Sequence, residues 1–278
     1  MRTAFLGAYG YGNLGDELCL MEAMRAFPGG AAHAFSVAPD WTRRCVPGLA
    51  GCFTEPEALH ALGARRVVFG GGMVGTARAF RVFLRAASYT VRDVLSVEYA
   101  AMAGIGRLPR INVFPEADIP ADPELADALL PHGTKLLGVS IIPMPLMRAA
   151  LAHEAARVRA LVADFADHAV LPVVSTVHLD TPDEDDVAGC RAFLQNFLPG
   201  AQVVAPILLD RDFWRAEMTP ARLKGLIARC DTLLTQRKHN AIHGIGAGVR
   251  VIGLHPLIDN SLRRTFVTLA HRLPPGSR

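Results

Sequence analysis

The sequence predicts an α/β protein built from two Rossmann-like lobes, each around a parallel sheet. Three observations lead there. Short apolar or β-branched runs alternate with longer stretches of helical pattern, and Gly or Pro marks the joints, as successive βαβ units require. A length of 278 residues exceeds one minimal domain and suits two lobes that each bury a core. A proline-rich stretch, Pro115-Glu-Ala-Asp-Ile-Pro-Ala-Asp-Pro123 followed by Pro131-His-Gly133, lies near the middle of the chain and has the composition of a boundary. The junction falls at about 115–134, giving an N-terminal lobe over 1–120 and a C-terminal lobe over 130–278.

In chain order, the first half offers strands near Thr3–Gly7, His33–Val37, Arg66–Gly70 and Arg110–Phe114, with helices between them. The second half offers Lys135–Ile141, Val170–Ser175, Gln202–Ala205, Thr232–Thr235 and Arg250–Leu254. Thr181-Pro-Asp-Glu184 reads as a capping box: Thr is the N-cap, Pro takes the first helical position and Glu the third, opening a helix towards Phe197. The acids Asp183 to Asp186 then sit in a helix's first turn, where its dipole favours them. A metal site using His178 and Asp180 is conceivable, but the structural explanation suffices and no metal is expected.

Composition narrows the partners. The balance of 29 basic against 26 acidic side chains leaves only +3, and no stretch clusters Lys and Arg, which argues against nucleic acid. Cys19, Cys45, Cys52, Cys190 and Cys230 are odd in number, scattered and without a C-x-x-C pair, as reduced thiols are. Met1-Arg2 leads straight into Thr3-Ala-Phe-Leu-Gly7 with no apolar signal segment. The longest apolar stretch, Leu136 to Leu151, is broken by Pro143, Pro145 and Arg148, short of the ~18 unbroken residues that a membrane span needs. A soluble, cytoplasmic protein is expected, which a lipid-linked substrate would bring to a membrane surface.

Two glycine loops follow strands of the first lobe. Gly10-Tyr-Gly12-Asn-Leu-Gly15 satisfies G-x-G-x-x-G between a strand and a helix, with Asp40 near the end of the second strand. Asp16 and Glu17, however, place negative charge where a dinucleotide's pyrophosphate would rest, and the loop is longer than the tight dinucleotide turn. It reads either as a glycine turn with an Asp cap or as backbone that approaches a substrate, with Gly10, Gly12, Asn13 and Asp16 facing sugar hydroxyls. The second loop, Gly70-Gly71-Gly72, ends the strand from Val67 and favours the substrate reading, because ligands of open parallel sheets bind beyond the strands' carboxyl ends.

In the second lobe, Gln236-Arg237-Lys238-His239 follows a strand and begins a helix that ends near Gly244-x-Gly246-x-Gly248. A helix N-terminus with Arg237 and Lys238 makes an anion site, and His239 can act there as a general acid. The alternative is a solvated basic turn. His239 and His243 have i, i+4 spacing, but Ala241 and Ile242 replace the polar partners of a zinc helix.

Together these segments resemble the polysaccharide pyruvyl transferase family. The resemblance is carried by Gly10-Tyr-Gly-Asn-Leu-Gly-Asp-Glu17, Phe69-Gly-Gly-Gly72, Val91-Arg-Asp-Val-Leu-Ser96, and Arg237-Lys-His239 with Gly248-Val-Arg-Val-Ile-Gly253. It implies a GT-B-like arrangement of the lobes and transfer of a pyruvyl group from phosphoenolpyruvate to a sugar hydroxyl, forming a ketal. Phosphoenolpyruvate would be donor substrate, with no separate cofactor, and the acceptor a saccharide or its activated precursor. His239 would be the acid, Arg237 and Arg92 would hold the donor's charges, and the first-lobe glycine loops would face the acceptor. Only 18 residues separate Gly72 from Val91, where the family places another strand and helix, so an abbreviated first lobe is expected.

Two further readings compete. The same anion site would serve the diphosphate of a nucleotide sugar in a glycosyltransferase. A binding protein that keeps the fold without the chemistry would instead show Arg237 and His239 turned apart or filled by protein side chains.

Overall fold

The computed structural model describes residues 1–55, 58–69, 90–91, 110–111, 119–143, 145–181 and 185–254. The first lobe runs β1 (Arg2–Leu6), α1 (Leu14–Ala26), β2 (Ala31–Phe35), α2 (Pro39–Cys45), β3 (Gly51–Phe53), α3 (Ala58–Leu62) and β4 (Arg66–Phe69). Its strands are all parallel, in the order β3-β2-β1-β4. A separate parallel pair joins β5 (Thr90–Val91) to β6 (Arg110–Ile111). The stretch expected to be shortened, between Gly72 and Val91, lies almost wholly outside the described residues.

After α4 (Glu124–Leu129) the second lobe continues with β7 (Leu136–Ser140), α5 (Pro145–His153), α6 (Ala155–Ala163), β8 (Ala169–Pro172), α7 (Asp186–Phe197), α8 (Arg211–Glu217), α9 (Pro220–Ile227), β9 (Thr232–Thr235), α10 (Lys238–Gly246) and β10 (Arg250–Gly253). The strands are again parallel, in the order β10-β9-β7-β8. Every residue of β7, β8 and β9 is buried, which is why these strands show no alternation of apolar and charged residues, their only polar members being Ser140, Thr232 and Thr235 at strand ends. The fold is therefore two parallel-sheet α/β lobes, as the alternating pattern predicts.

Three local expectations are corrected. Gln202–Ala205 contributes only an isolated bridge between Val203 and Val170, because Ala205 takes a left-handed φ of 49° and Pro206 opens a 3-10 turn over Pro206–Leu209. The helix expected from Thr181 begins at Asp186, capped by the Asp185 carboxylate on the Val187 N–H. The backbone N–H of Thr181 is instead held by His178 Nδ1. The edge strand β3 was not anticipated, being only three residues long.

The lobes share one continuous core. Phe5, Tyr9, Leu14 and Leu20 of the first belong to the same buried cluster as Trp214, Leu223 and Ile227 of the second. Trp41 of α2 stacks on Trp214 of α8 with ring centroids 6.2 Å apart, and the fully buried Trp214 donates its indole N–H to the carbonyl of Val174 at 2.9 Å. The junction segment is fastened as well: the buried Lys224 of α9 donates to the carbonyl of Ile119 at 2.5 Å. A hydrophobic cluster spanning both lobes couples their unfolding.

Trp41 and Trp214 are the only two tryptophans in the chain, and both sit at the lobe interface. Tryptophan fluorescence should therefore report separation of the lobes, and far-UV circular dichroism loss of the helices. The two signals should give one coincident urea transition; lobes that unfold independently would give displaced midpoints.

Candidate functional site

In each sheet the chain reverses its direction of winding once, and the crevice beyond such a switch point is where open α/β sheets bind ligands. In the first lobe the switch lies between β1 and β4, and in the second between β7 and β9. The turn after β9 carries Gln236, Arg237, Lys238 and His239. Thr235 Oγ1 accepts the Arg237 N–H at 2.9 Å, and Lys238 opens the nine-residue helix α10. The buried Asn240 donates to Ser140 Oγ at 2.7 Å, and the Gln236 side chain accepts the Ile142 N–H at 2.9 Å, so the turn is tied to the end of β7 on the other side of the switch.

Arg237 is held by Asp186. The carboxylate oxygen Oδ1 accepts from Arg237 Nε at 2.9 Å and from Nη2 at 2.7 Å, with Asp186 fully buried. Oδ2 accepts from the backbone N–H and the hydroxyl of Ser175 at 3.1 and 3.0 Å, and from the Thr176 N–H at 3.2 Å. Burial pushes this carboxyl above the usual aspartate range, while Arg237 and Ser175 pull it back. All five contacts are donors, which a carboxylate accepts and a carboxylic acid cannot fully use. Removing one member of such a pair leaves a buried charge unmatched, at about 3–5 kcal/mol.

The network continues into the first lobe. Thr176 donates its hydroxyl to Asn13 Oδ1 at 3.3 Å, and the same Asn13 oxygen accepts the Gly15 N–H at 3.0 Å, capping α1. Residues 11–14 and 175–179 pair as an antiparallel ribbon: the Leu14 N–H donates to Ser175 O, the Val177 N–H to Gly12 O and the Leu179 N–H to Tyr11 O, at 3.1, 2.9 and 3.0 Å. The φ of Gly12 is 85°, and a Cβ there would collide with the carbonyl of Val177. A Cβ on Gly15 would collide with the imidazole of His239. The close approach these two glycines permit is thus to the protein's other lobe. Tyr11 stacks on His178 across the same seam, with ring centroids 5.5 Å apart and planes inclined by 17°.

Arg237, His239, Asn13 and Gly12 are therefore gathered around one seam; Lys238 and the part-buried Asp16 adjoin His239 and Gly15 in the chain, and Gly10 packs against Ser36 and Ala38 within the first lobe. The second glycine loop, Gly70 to Gly72, and Arg92 lie outside the described residues. Sequence reasoning missed Asp186, Ser175, Thr176, Tyr11 and Asn240. Asp186 alone left a trace, as one of the acids attributed wholly to the helix dipole.

Two buried titratable groups flank the site. Glu17 accepts the Gly10 N–H at 2.8 Å and the Thr42 hydroxyl at 3.3 Å through Oε1, while Oε2 has no partner among the described residues. Burial, opposed by the Gly10 N–H, pushes its carboxyl up to about 8. His243, fully buried in α10 and with neither ring nitrogen paired among the described residues, is pushed down to about 3 by burial and then by Lys224.

No protein-family model matches the sequence, and no curated protein matches it. Solved structures do. A putative UDP-N-acetylglucosamine 2-epimerase from Listeria monocytogenes superposes with a TM-score of 0.50 at 9% identity, covering 96% of this chain and 82% of its own. The E. coli ADP-heptose lps heptosyltransferase II gives 0.42 at 12% identity over 91% and 84%. The glycosyltransferase SnogD from Streptomyces nogalater gives 0.46 at 13% over 97% and 85%. At such identities the likeness is one of fold, and that fold is the two-lobed GT-B-like arrangement. No helix among the described residues is long and apolar enough to cross a membrane.

The two buried groups set opposite pH slopes. Folded Glu17 keeps its proton up to about pH 8, whereas the unfolded side chain ionises near 4.5, so stability falls as pH rises between those values and is flat above. Folded His243 stays neutral down to about pH 3 and its unfolded form protonates near 6.5, so its contribution is full above 6.5 and lost as pH falls towards 3. The slopes cancel between about 4.5 and 6.5. From about pH 6.5 to 8, urea unfolding should show the wild type losing stability with a limiting slope of ~1.4 kcal/mol per pH unit. Glu17→Gln, which keeps the acceptor for Gly10, should be flat over that range.

Proposed function

We propose that the protein is a sugar-acting transferase whose donor is held through its phosphates at the β9–α10 turn, with a nucleotide sugar as the donor class. The observation that carries this reading is the placement of Arg237, Lys238 and His239 at the switch point of the second sheet, Arg237 as the N-cap of α10 and the other two opening it, with Arg237 pinned by a buried carboxylate. A helix N-terminus with fixed cations suits a diphosphate leaving group. Support at the level of fold comes from the Listeria protein, which is named for UDP-N-acetylglucosamine. In the transfer, an acceptor hydroxyl attacks the anomeric carbon, the bond to the diphosphate breaks, and the diphosphate keeps the electron pair. His239, lying against Gly15 at the seam, is the group suited to take the hydroxyl's proton.

A second reading, pyruvyl transfer from phosphoenolpyruvate, is favoured by the match of Arg237-Lys-His239 and the opening glycine loop to that family's segments. There His239 would protonate the methylene carbon, one sugar hydroxyl would add to the neighbouring carbon, and a second would replace the departing phosphate to close the ketal, the two hydroxyl protons going to His239 and the phosphate. A third, a binding protein without chemistry, is favoured by the Asp186 carboxylate, which balances the charge of Arg237.

Thermal-shift measurements with UDP, GDP and phosphoenolpyruvate separate the three. A nucleotide diphosphate at a hundred times its Kd should stabilise the wild type by ~2.7 kcal/mol, and Lys238→Ala should weaken that stabilisation. Phosphoenolpyruvate acting alone would move the assignment to pyruvyl transfer. No shift with any of them would overturn both enzyme readings.

A further inference from the structure

We infer that the Tyr11–His178 stack is a carbohydrate platform, on whose outer face the pyranose ring of a neutral acceptor lies; this rests on the sugar-acting reading above. The two rings come from different lobes, after β1 and after β8, yet are nearly parallel and only part-buried. Backbone bonds fix them, since the Leu179 N–H donates to Tyr11 O and the Val177 N–H to Gly12 O. His178 Nδ1 accepts the backbone N–H groups of Asp180 at 3.2 Å and Thr181 at 3.0 Å. The imidazole proton is thereby placed on Nε2, which makes the ring a hydrogen-bond donor at its far edge.

The surroundings match a sugar in particular. Leu179, next to His178 in the chain and 45% exposed, is a large hydrophobic residue left open to solvent. Leu179 donates its N–H to Tyr11 O, so it borders the platform through the backbone. Asp180, exposed and next to His178 in the loop, supplies a carboxylate. A pyranose has an apolar C–H face for flat rings and hydroxyls at its edge for a donor and a carboxylate. A purely apolar partner would leave the His178 N–H unmatched, and an anionic one would meet the exposed Asp180 carboxylate two residues further on. In the chain Tyr11 is four residues from Gly15, on which His239 rests.

Saturation-transfer NMR tests this with methyl β-glucoside, methyl β-galactoside and N-acetylglucosamine, using phenol as an apolar control and UDP as a separate probe. At least one sugar should receive saturation on its ring C–H protons. Tyr11→Ala should weaken its binding by roughly 3- to 10-fold, whereas Tyr11→Phe, which keeps the ring, should stay within about twofold. Should Tyr11→Ala fail to fold, Leu179→Ser at the exposed rim must show weakening in the same direction. No sugar binding to folded wild type, equal binding by Tyr11→Ala or, in its place, Leu179→Ser, or phenol alone binding would overturn the platform. UDP binding reads the donor site independently: its failure with sugar binding intact counts against the proposed donor, and its success without sugar binding counts against the platform alone.

Discussion

A single buried carboxylate organises this seam. Asp186 receives the guanidinium of Arg237 on one oxygen and three donors from Ser175 and Thr176 on the other. Those two residues also pair with Asn13 and Leu14 of the first lobe. Each neighbour donates to it, a set that the ionised carboxylate can accept in full, and the charge is tolerable at full burial because Arg237 is beside it. The aim of Arg237 and, through Ser175 and Thr176, the docking of the opening glycine loop follow from that arrangement, while the Asp185 carboxylate caps the start of α7.

The seam changes what a two-lobed fold implies. An open cleft would leave the strand-end loops facing solvent, but here the loop after β1 forms a ribbon with the segment after β8, and a shared core lies beneath it. Motion between the lobes at this end would break backbone hydrogen bonds, the Asn13 cap and the Trp41–Trp214 contact together. The proposed sites, for phosphates at the β9–α10 turn and for an acceptor ring at Tyr11 and His178, would then lie along the rim of a fixed seam.

Much of the fold was legible because parallel strands buried on both faces appear as short apolar runs; Thr232–Thr235 is found with the bounds expected. The expectation at Gln202–Ala205 failed because a left-handed Ala205 followed by Pro206 ends pairing, and neither can be read from hydrophobicity. The basic turn at Arg237 was visible as a cluster. Its counter-ion was not, since an acid at a helix start already has a sufficient local explanation, and only the approach of residues 175, 186 and 237 reveals the second one. Glycine carries a similar ambiguity: the sequence shows that backbone comes close at Gly12 and Gly15, but not whether a ligand or the other lobe is what it approaches.

Hydrogen exchange of backbone amides in the wild type and in Asp186→Asn tests this account most directly. An Asn amide must turn its NH2 group towards either Arg237 or the Ser175 and Thr176 donors, so one half of the network is lost whichever way it flips. The amides of Leu14, Val177 and Leu179 should exchange in the wild type only through global unfolding, and should lose protection together in Asp186→Asn while those of Leu233 and Leu234 in β9 remain protected. Unchanged protection across the ribbon in the variant would contradict the central role given to Asp186.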